Sequence, residues 1–228
     1  MKWPKAFPRL RDTLFGLTLL LVSSCSGARP EILFTDWQLI SQRRPDDAVP
    51  TEHLRLFVAV SDADGVSDIE RILVVHEASE LYWELTQENW VQLEYGGDEW
   101  IGAHEIRVPA GSGEMLRGRY SVEVYDAAQG VATDSFFVNL PRAEASDAAA
   151  VELRNVPVPT LVAPDGAIMR AYGSTGEVLF QESLSAGPLG DSVLERLRSE
   201  PGSVFYLERR LPSGSQLVVG PFATSSLE

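Results

Sequence analysis

The chain has 228 residues and carries 33 acidic against 19 basic side chains, a formal net charge of −14. A body this acidic repels nucleic acid and anionic lipid headgroups, so we expect no DNA or RNA partner. Apolar residues make up 44% of the sequence and include five tryptophans, enough for hydrophobic cores and too many for a disordered acidic tail. The single cysteine, Cys25, excludes a disulfide within the chain.

The first 24 residues have the three-part layout of a secretory signal peptide. Four basic residues lie between positions 2 and 11, an apolar run follows over residues 14–22, and two serines, Ser23 and Ser24, precede Cys25. The apolar run has nine residues, whereas a helix needs about 20 to cross the hydrocarbon core of a bilayer. The pattern therefore predicts an exported chain and not a permanent transmembrane helix.

The segment Leu21-Val22-Ser23-Ser24-Cys25 resembles the lipobox of bacterial lipoproteins. The resemblance implies that Cys25 receives a covalent lipid and becomes the first residue of the mature chain, with residues 25–30 as a tether. Two or three acyl chains make a stable anchor, since each buried methylene contributes about 0.8 kcal/mol. Ser26 and Gly27 after the cysteine resemble the sorting pattern for the outer rather than the inner membrane. We therefore expect a lipid-anchored protein of the bacterial cell envelope, with a net charge of −17 once residues 1–24 are removed.

Residues 31–140 read as about eight short strands separated by turn signals, which predicts an antiparallel β-sandwich. The last two strands are the clearest. Tyr120, Val122 and Val124 alternate with polar residues, a turn follows at residues 127–130, and a second strand returns over residues 131–140. The strand and its turn resemble the closing hairpin of immunoglobulin-like or fibronectin type III-like domains of bacterial surface proteins. The matching residues are Gly118, Tyr120, Val122, Val124 and Asp126, and the Asp-x-Asp-Gly-Val turn at residues 62–66 recurs in such domains.

The composition changes at residues 141–150, which we interpret as a linker. Beyond it, residues 151–228 predict a small β-rich domain of ββαββ (α+β) type. One hairpin covers residues 167–183, a helix covers residues 191–200, and a second hairpin covers residues 204–220. The predicted fold is thus mainly β, an immunoglobulin-like sandwich followed by a small domain with one helix.

Catalytic and cofactor motifs are missing from this sequence. The three histidines, His53, His76 and His104, lack metal-ligand spacing, and the chain has no G-x-S-x-G elbow, phosphate-binding loop or dinucleotide fingerprint. Cys25 is committed to acylation and leaves no thiol nucleophile. We therefore expect a non-enzymatic protein whose only attached group is the lipid, with no catalytic residues and no cofactor.

Two segments are candidates for a binding site. Asp62, Asp64 and Asp68 surround Gly65 and could present oxygen ligands to calcium, although aspartate and glycine are also the ordinary residues of a turn. A run of aromatic residues interleaved with carboxylates could bind carbohydrate or a partner protein by stacking, or could instead fill the sandwich core. These aromatic residues are Tyr82, Trp83, Trp90, Tyr95 and Trp100.

Three functional hypotheses follow. The first is a membrane-anchored, non-catalytic lipoprotein that binds or scaffolds an envelope protein or glycan. The second is a carbohydrate-binding module that uses the aromatic residues between positions 82 and 100. The third is a carboxylate-based hydrolase, although nothing in the sequence pairs two carboxylates at a separation that such an enzyme needs.

Overall fold

The structure is a computed structural model, and it describes residues 28–44, 47, 49–109, 113–142, 153–154, 160–163, 165–200 and 202–224. The mainly β prediction is confirmed. The signal peptide and Cys25 lie outside the described residues, as do residues 143–150 of the predicted linker. No helix within the described ranges is both long enough and apolar enough to cross a membrane.

The described residues of the first part of the chain form eight strands, and each lies close to a predicted strand. The strands form here because alternating β-branched and aromatic residues can bury one face of a strand. They are β1 (Glu31–Arg43), β2 (Thr51–Ser61), β3 (Ile69–His76), β4 (Leu81–Thr86), β5 (Val91–Tyr95), β6 (Asp98–Ile106), β7 (Gly118–Asp126) and β8 (Val131–Val138).

These eight strands form two layers around one core. Strands β1, β2, β6 and β5 are neighbours in one sheet, and β4, β3, β7 and β8 form the other, which is wholly antiparallel. Inward side chains of both layers meet in a single hydrophobic cluster that includes Leu56 and Val58 of β2 and Ile72, Val74 and Val122 of the opposite layer. The alternation along β2 and β7 therefore identified the buried face correctly.

The described residues of the second part of the chain form seven strands and one helix. They are β9 (Leu153–Arg154), β10 (Thr160–Ala163), β11 (Ala167–Tyr172), β12 (Val178–Leu184), β13 (Gly187–Pro188), α1 (Asp191–Arg198), β14 (Val204–Arg210) and β15 (Gln216–Ala223). Strands β9, β10 and β13 make a small sheet of their own. The two predicted hairpins are β11–β12 and β14–β15, and the predicted helix is α1.

A parallel pairing between β1 and β15 joins the two parts into one sheet of eight strands, in the order β12-β11-β14-β15-β1-β2-β6-β5. In its register Ile40 lies opposite Gln216 and Arg43 opposite Val219. The second part keeps a hydrophobic cluster of its own, in which Val193 and Leu197 of α1 pack on strand residues such as Leu207. The predicted division at residues 141–150 stays a prediction.

Among the described elements, one face of the eight-stranded sheet is covered, and the opposite face, called the open face below, carries the depressions. The second sheet covers β2 through Leu56 and Val58, and α1 covers the same side of β14 through Leu207. The opposite side carries Arg55 of β2 and Glu208 of β14, and it holds the depressions described next.

Candidate functional site

The candidate site is an aromatic groove on the open face, at the end of the large sheet formed by β1, β2, β6 and β5. Strand pairing sets four side chains in one row: Leu93 lies opposite Trp100, Trp100 opposite Ala59, and Ala59 opposite Phe34. Ala59 is small and fully buried between the two aromatic neighbours. The rings of Phe34 and Trp100 therefore stack across it, with centroids 6.4 Å apart and planes inclined by 16°.

Tyr95 extends this aromatic surface at the tip of the β5–β6 hairpin. The hairpin turns through Gly96 and Gly97, both with positive φ, which is the backbone that a two-residue turn between twisted antiparallel strands requires. The Trp100 indole N–H donates a hydrogen bond to the Tyr95 carbonyl at 3.2 Å, which ties the base of the turn to the groove. Tyr95 is 78% exposed and Phe34 is 61% exposed, so large apolar faces meet solvent here.

The floor and rim of the groove combine an aromatic ring with charge. Phe57 lies beneath the surface with 1% exposure, and the Arg55 guanidinium is 5.1 Å from the centre of its ring. Arg55 also pairs with Asp36, Nη1 to Oδ2 at 3.1 Å, while Glu94 and Asp98 line the groove near its tip. The groove encloses about 760 Å³, the size range of small-ligand sites.

Two of the five aromatic residues singled out in the sequence, Tyr95 and Trp100, belong to this groove. Trp83 and Trp90 pack against the sandwich core, and the Trp83 indole N–H donates to the Arg107 carbonyl at 2.6 Å. Tyr82 is 61% exposed, but it lies on β4 in the other sheet. The structure therefore divides the run between the two alternatives, core filling and an exposed binding surface.

Sequence reasoning missed half of the groove. Phe34, Asp36 and Arg55 lie on β1 and β2, at least 38 positions before Leu93. The available signal was the small residue Ala59 in an otherwise bulky strand, since a small residue between two strands leaves room for large neighbours on either side.

A second depression of about 480 Å³ lies farther along the same open face, where β1 meets the second part of the chain. His53, His104, Tyr172, Tyr206 and Glu208 are among its lining residues. Burial, assisted by Arg107, lowers the pKa of His53 to about 4, and burial near Arg55 lowers the pKa of His104. Burial raises the pKa of Glu208. Both imidazoles are neutral at pH 7, so this depression does not attract anions through histidine charge.

The aspartates that cluster near the turn after β2 are not the same three that the sequence suggested. Asp62 and Asp68 converge with Asp126, the last residue of β7, and one carboxylate oxygen of each lies within 4.8 Å of the other two. Asp64 is exposed, and its backbone N–H donates to Asp62 Oδ1 at 2.8 Å. Among the described residues, this is the one group of three or more histidine, cysteine or acidic side chains spaced for a metal ion.

No family model matches the sequence, and a search of curated proteins finds no match. Among solved structures, one match is "dimeric latent PorU from Porphyromonas gingivalis", with 11% identity and a TM-score of 0.32 over 86% of this chain and 20% of that one. Another is a "biofilm associated protein - BSP domain", with 14% identity and a TM-score of 0.25 over 81% of this chain and 28% of that one. This chain thus spans less than a third of either match. At these TM-scores and identities, neither the fold nor the role of the matched proteins can be assigned to this chain.

Proposed function

We propose that this protein is a non-catalytic binding lipoprotein of the bacterial cell envelope, which holds a protein or glycan ligand in the aromatic groove. The observation that carries the proposal is the exposed Phe34 ring stacked on the half-buried Trp100, beside the exposed Tyr95. Contiguous exposed apolar surface with a polar rim is typical of interaction sites, because an isolated soluble protein gains nothing from exposing it. The lipobox resemblance at residues 21–25 supports the envelope location, with the outer membrane favoured over the inner.

We further propose that the first eight strands form an immunoglobulin-like sandwich. When β4 is counted as an added edge strand next to β3, the sheets β1-β2-β6-β5 and β3-β7-β8 have the order of such domains, in which the first, second, fifth and fourth of seven strands share a sheet and the third, sixth and seventh form the other. The Tyr120 hydroxyl, near the start of β7, donates to the Leu116 carbonyl at 2.8 Å. A tyrosine that bonds back to the backbone just upstream of this strand is a hallmark of these sandwiches.

A carbohydrate ligand is the second candidate. Sugar rings present C–H faces that stack on aromatic side chains, and their hydroxyls bond to carboxylates such as Asp36, Glu94 and Asp98 on the rim. A glycan array probed with the full chain tests this directly. Binding should fall at least tenfold in Tyr95→Ala and persist in Tyr82→Ala, which removes another exposed tyrosine from the other sheet. A uniformly silent array rules out the carbohydrate, whereas equal loss in both variants rules out the groove.

A protein ligand is tested by photo-crosslinking in the living cell. A photoreactive phenylalanine analogue at position 95 should give a discrete adduct with an envelope protein, and the same analogue at position 82 should give none. Adducts at 82 but not at 95 would place the contact on the other sheet and contradict the proposal.

The anchor has its own test. The intact mass of protein extracted from membranes should correspond to a chain beginning at Cys25 plus two or three acyl groups, and the Cys25→Ser variant should lose the added mass and leave the membrane. A chain with a free thiol, or one cut elsewhere, would refute the anchor while leaving the groove untouched.

The non-catalytic part of the proposal rests on the absence of catalytic motifs from the sequence. We expect no turnover of chromogenic glycosides by the purified chain. If the natural chain showed turnover and a carboxylate variant of the groove such as Asp98→Asn did not, the hydrolase hypothesis would replace the non-catalytic proposal.

A further inference from the structure

The three aspartates Asp62, Asp68 and Asp126 come from different places in the sequence and meet at one end of the first two-layered part. Asp62 follows β2, Asp68 closes the short 3-10 turn Val66–Asp68, and Asp126 ends β7. Backbone hydrogen bonds hold them together: the Ala127 N–H donates to the Asp68 carbonyl at 2.9 Å, and the Gly65 N–H donates to the Asp62 carbonyl at 3.1 Å. The backbone is therefore fixed around the three carboxylates.

Asp126 is fully buried, yet one of its oxygens has no partner. Its Oδ1 atom accepts the Gly130 N–H at 2.6 Å, while no hydrogen-bond donor reaches Oδ2 among the described residues. The Oδ2 atom of Asp62 is likewise buried and unpartnered. A buried charged oxygen without a partner is costly, and natural proteins offset such groups with hydrogen bonds, ion pairs or metal ions.

The charged groups that shift the pKa of Asp68 are all acidic. Burial and then the charges of Asp62, Asp64 and Asp126 raise the pKa of Asp68, and only the Ala127 N–H acts in the opposite direction. The ion pairs found among the described residues include none of the three clustered aspartates. Three mutually repelling carboxylates thus converge, and none of the ion pairs between described residues neutralises them.

We propose that Asp62, Asp68 and Asp126 bind a calcium ion. Calcium takes carboxylate oxygens at about 2.4 Å, so two ligands on opposite sides of one ion are at most about 4.8 Å apart. The three oxygens satisfy this limit. Magnesium demands near-ideal octahedral geometry at about 2.1 Å and retains its waters, which suits a site assembled from two loops less well.

The site lies where the chain enters the first strand. Pro30, which precedes β1, is next to Gly130 in the turn that holds Asp126, since a Cβ atom on Gly130 would lie 3.2 Å from the Pro30 ring. Calcium would therefore tie together the β2–β3 loop, the β7–β8 turn and the segment leading from the proposed anchor.

The test is calorimetric titration of the full chain with calcium chloride in metal-free buffer, together with thermal unfolding in EDTA and in 10 mM calcium. We expect a dissociation constant of about 0.1–1 mM, the range of extracellular calcium modules. The melting temperature should then rise by about 3–10 °C in calcium. No binding heat and no shift for the natural chain would overturn the proposal.

Matched variants assign the site. Asp68→Asn should weaken calcium binding at least tenfold, and it should melt above the natural chain in EDTA because one repulsive charge is gone. Asp64→Asn removes the same charge from the same turn but contributes no ligand, so its affinity should stay within about threefold of the natural chain. Asp62→Asn should behave like Asp68→Asn and serves if the latter does not fold. Equal losses in Asp64→Asn and Asp68→Asn would show general attraction to an acidic turn and refute the site.

Discussion

Neutralising Glu52 should destabilise the first part of the chain more than any change to a surface ion pair. The Glu52 side chain is fully buried, and its two oxygens accept hydrogen bonds from both terminal nitrogens of Arg117 at 2.8 Å. The Met115 N–H donates to Oε2 at 3.0 Å, and Arg117 also bonds to the Leu140 carbonyl. Glu52 therefore joins β2 to the segment before β7 and, through Arg117, to Leu140 just after β8.

Removing one partner of a buried pair costs about 3–5 kcal/mol, because the remaining charge is left without compensation. The Arg117 side chain is 31% exposed, so solvent screens part of this cost, and we expect Glu52→Gln to lower the free energy of unfolding by about 3 kcal/mol. Urea titration of the full chain at pH 7, followed by tryptophan fluorescence, measures the change. Glu77→Gln is the control, since the exposed Glu77–Arg119 pair is expected to contribute less than about 0.5 kcal/mol. A loss below about 1 kcal/mol in Glu52→Gln, or equal losses in both variants, would refute the reasoning.

Three further predictions concern stability. Tyr120→Phe should lower the free energy of unfolding by about 1–2 kcal/mol in the same urea assay, because the Leu116 carbonyl loses its hydrogen-bond donor while the ring still stacks on Phe136. An unchanged urea midpoint would contradict a stabilising role of this hydrogen bond. Gly102→Ala should lower the free energy of unfolding by at least about 2 kcal/mol, because its Cβ would overlap the Leu56 carbonyl and lie 2.6 Å from the Phe57 Cα. Gly190→Ala is the control, because a Cβ there meets no atom closer than 4.0 Å and the backbone has a negative φ; equal losses in the two variants would contradict the steric argument. Burial lowers the pKa of His53 to about 4, so its folded form binds fewer protons than the unfolded form between pH 6.5 and pH 4. The free energy of unfolding should therefore be unaffected by His53 above pH 6.5 and should fall by about 3 kcal/mol as the pH is lowered to 4, because protonation of His53 then favours the unfolded chain. In urea titrations across this range, the His53→Gln variant should show a smaller dependence of the free energy of unfolding on pH.

Local patterns predicted the strands well because each strand buries one face. In β4, Trp83 and Leu85 point to the core while Tyr82 and Glu84 point outward, and this alternation could have separated the aromatic run from sequence alone. The alternation does not say which strands become neighbours. The stack of Phe34 on Trp100 depends on β1 and β6 flanking β2, a pairing between distant segments that no local pattern encodes.

The same reason explains the two larger surprises. The parallel pairing of β1 with β15 links residues more than 170 positions apart, and no local pattern in the sequence indicates that the two parts of the chain share one sheet. Asp126 was identified as part of a closing hairpin and not as a ligand, because its approach to Asp62 and Asp68 requires β3 to pair with β7. Both features are tertiary, and both determine where the candidate sites lie.

The negative charge around the groove predicts that its ligand is neutral and that binding depends little on salt. Arg55, the basic residue in the groove lining, is already paired with Asp36, and Glu94 and Asp98 add negative charge to an acidic body. An anionic polysaccharide would be repelled, whereas a neutral ligand would gain mainly from stacking on Phe34, Tyr95 and Trp100. The affinity of whichever ligand the array or crosslinking identifies should therefore change less than about twofold between 50 and 500 mM sodium chloride, because salt screens interactions between charges and a neutral ligand brings none. Binding that weakens steeply with salt would instead require a cationic ligand held by the rim carboxylates, and would contradict the stacking mechanism.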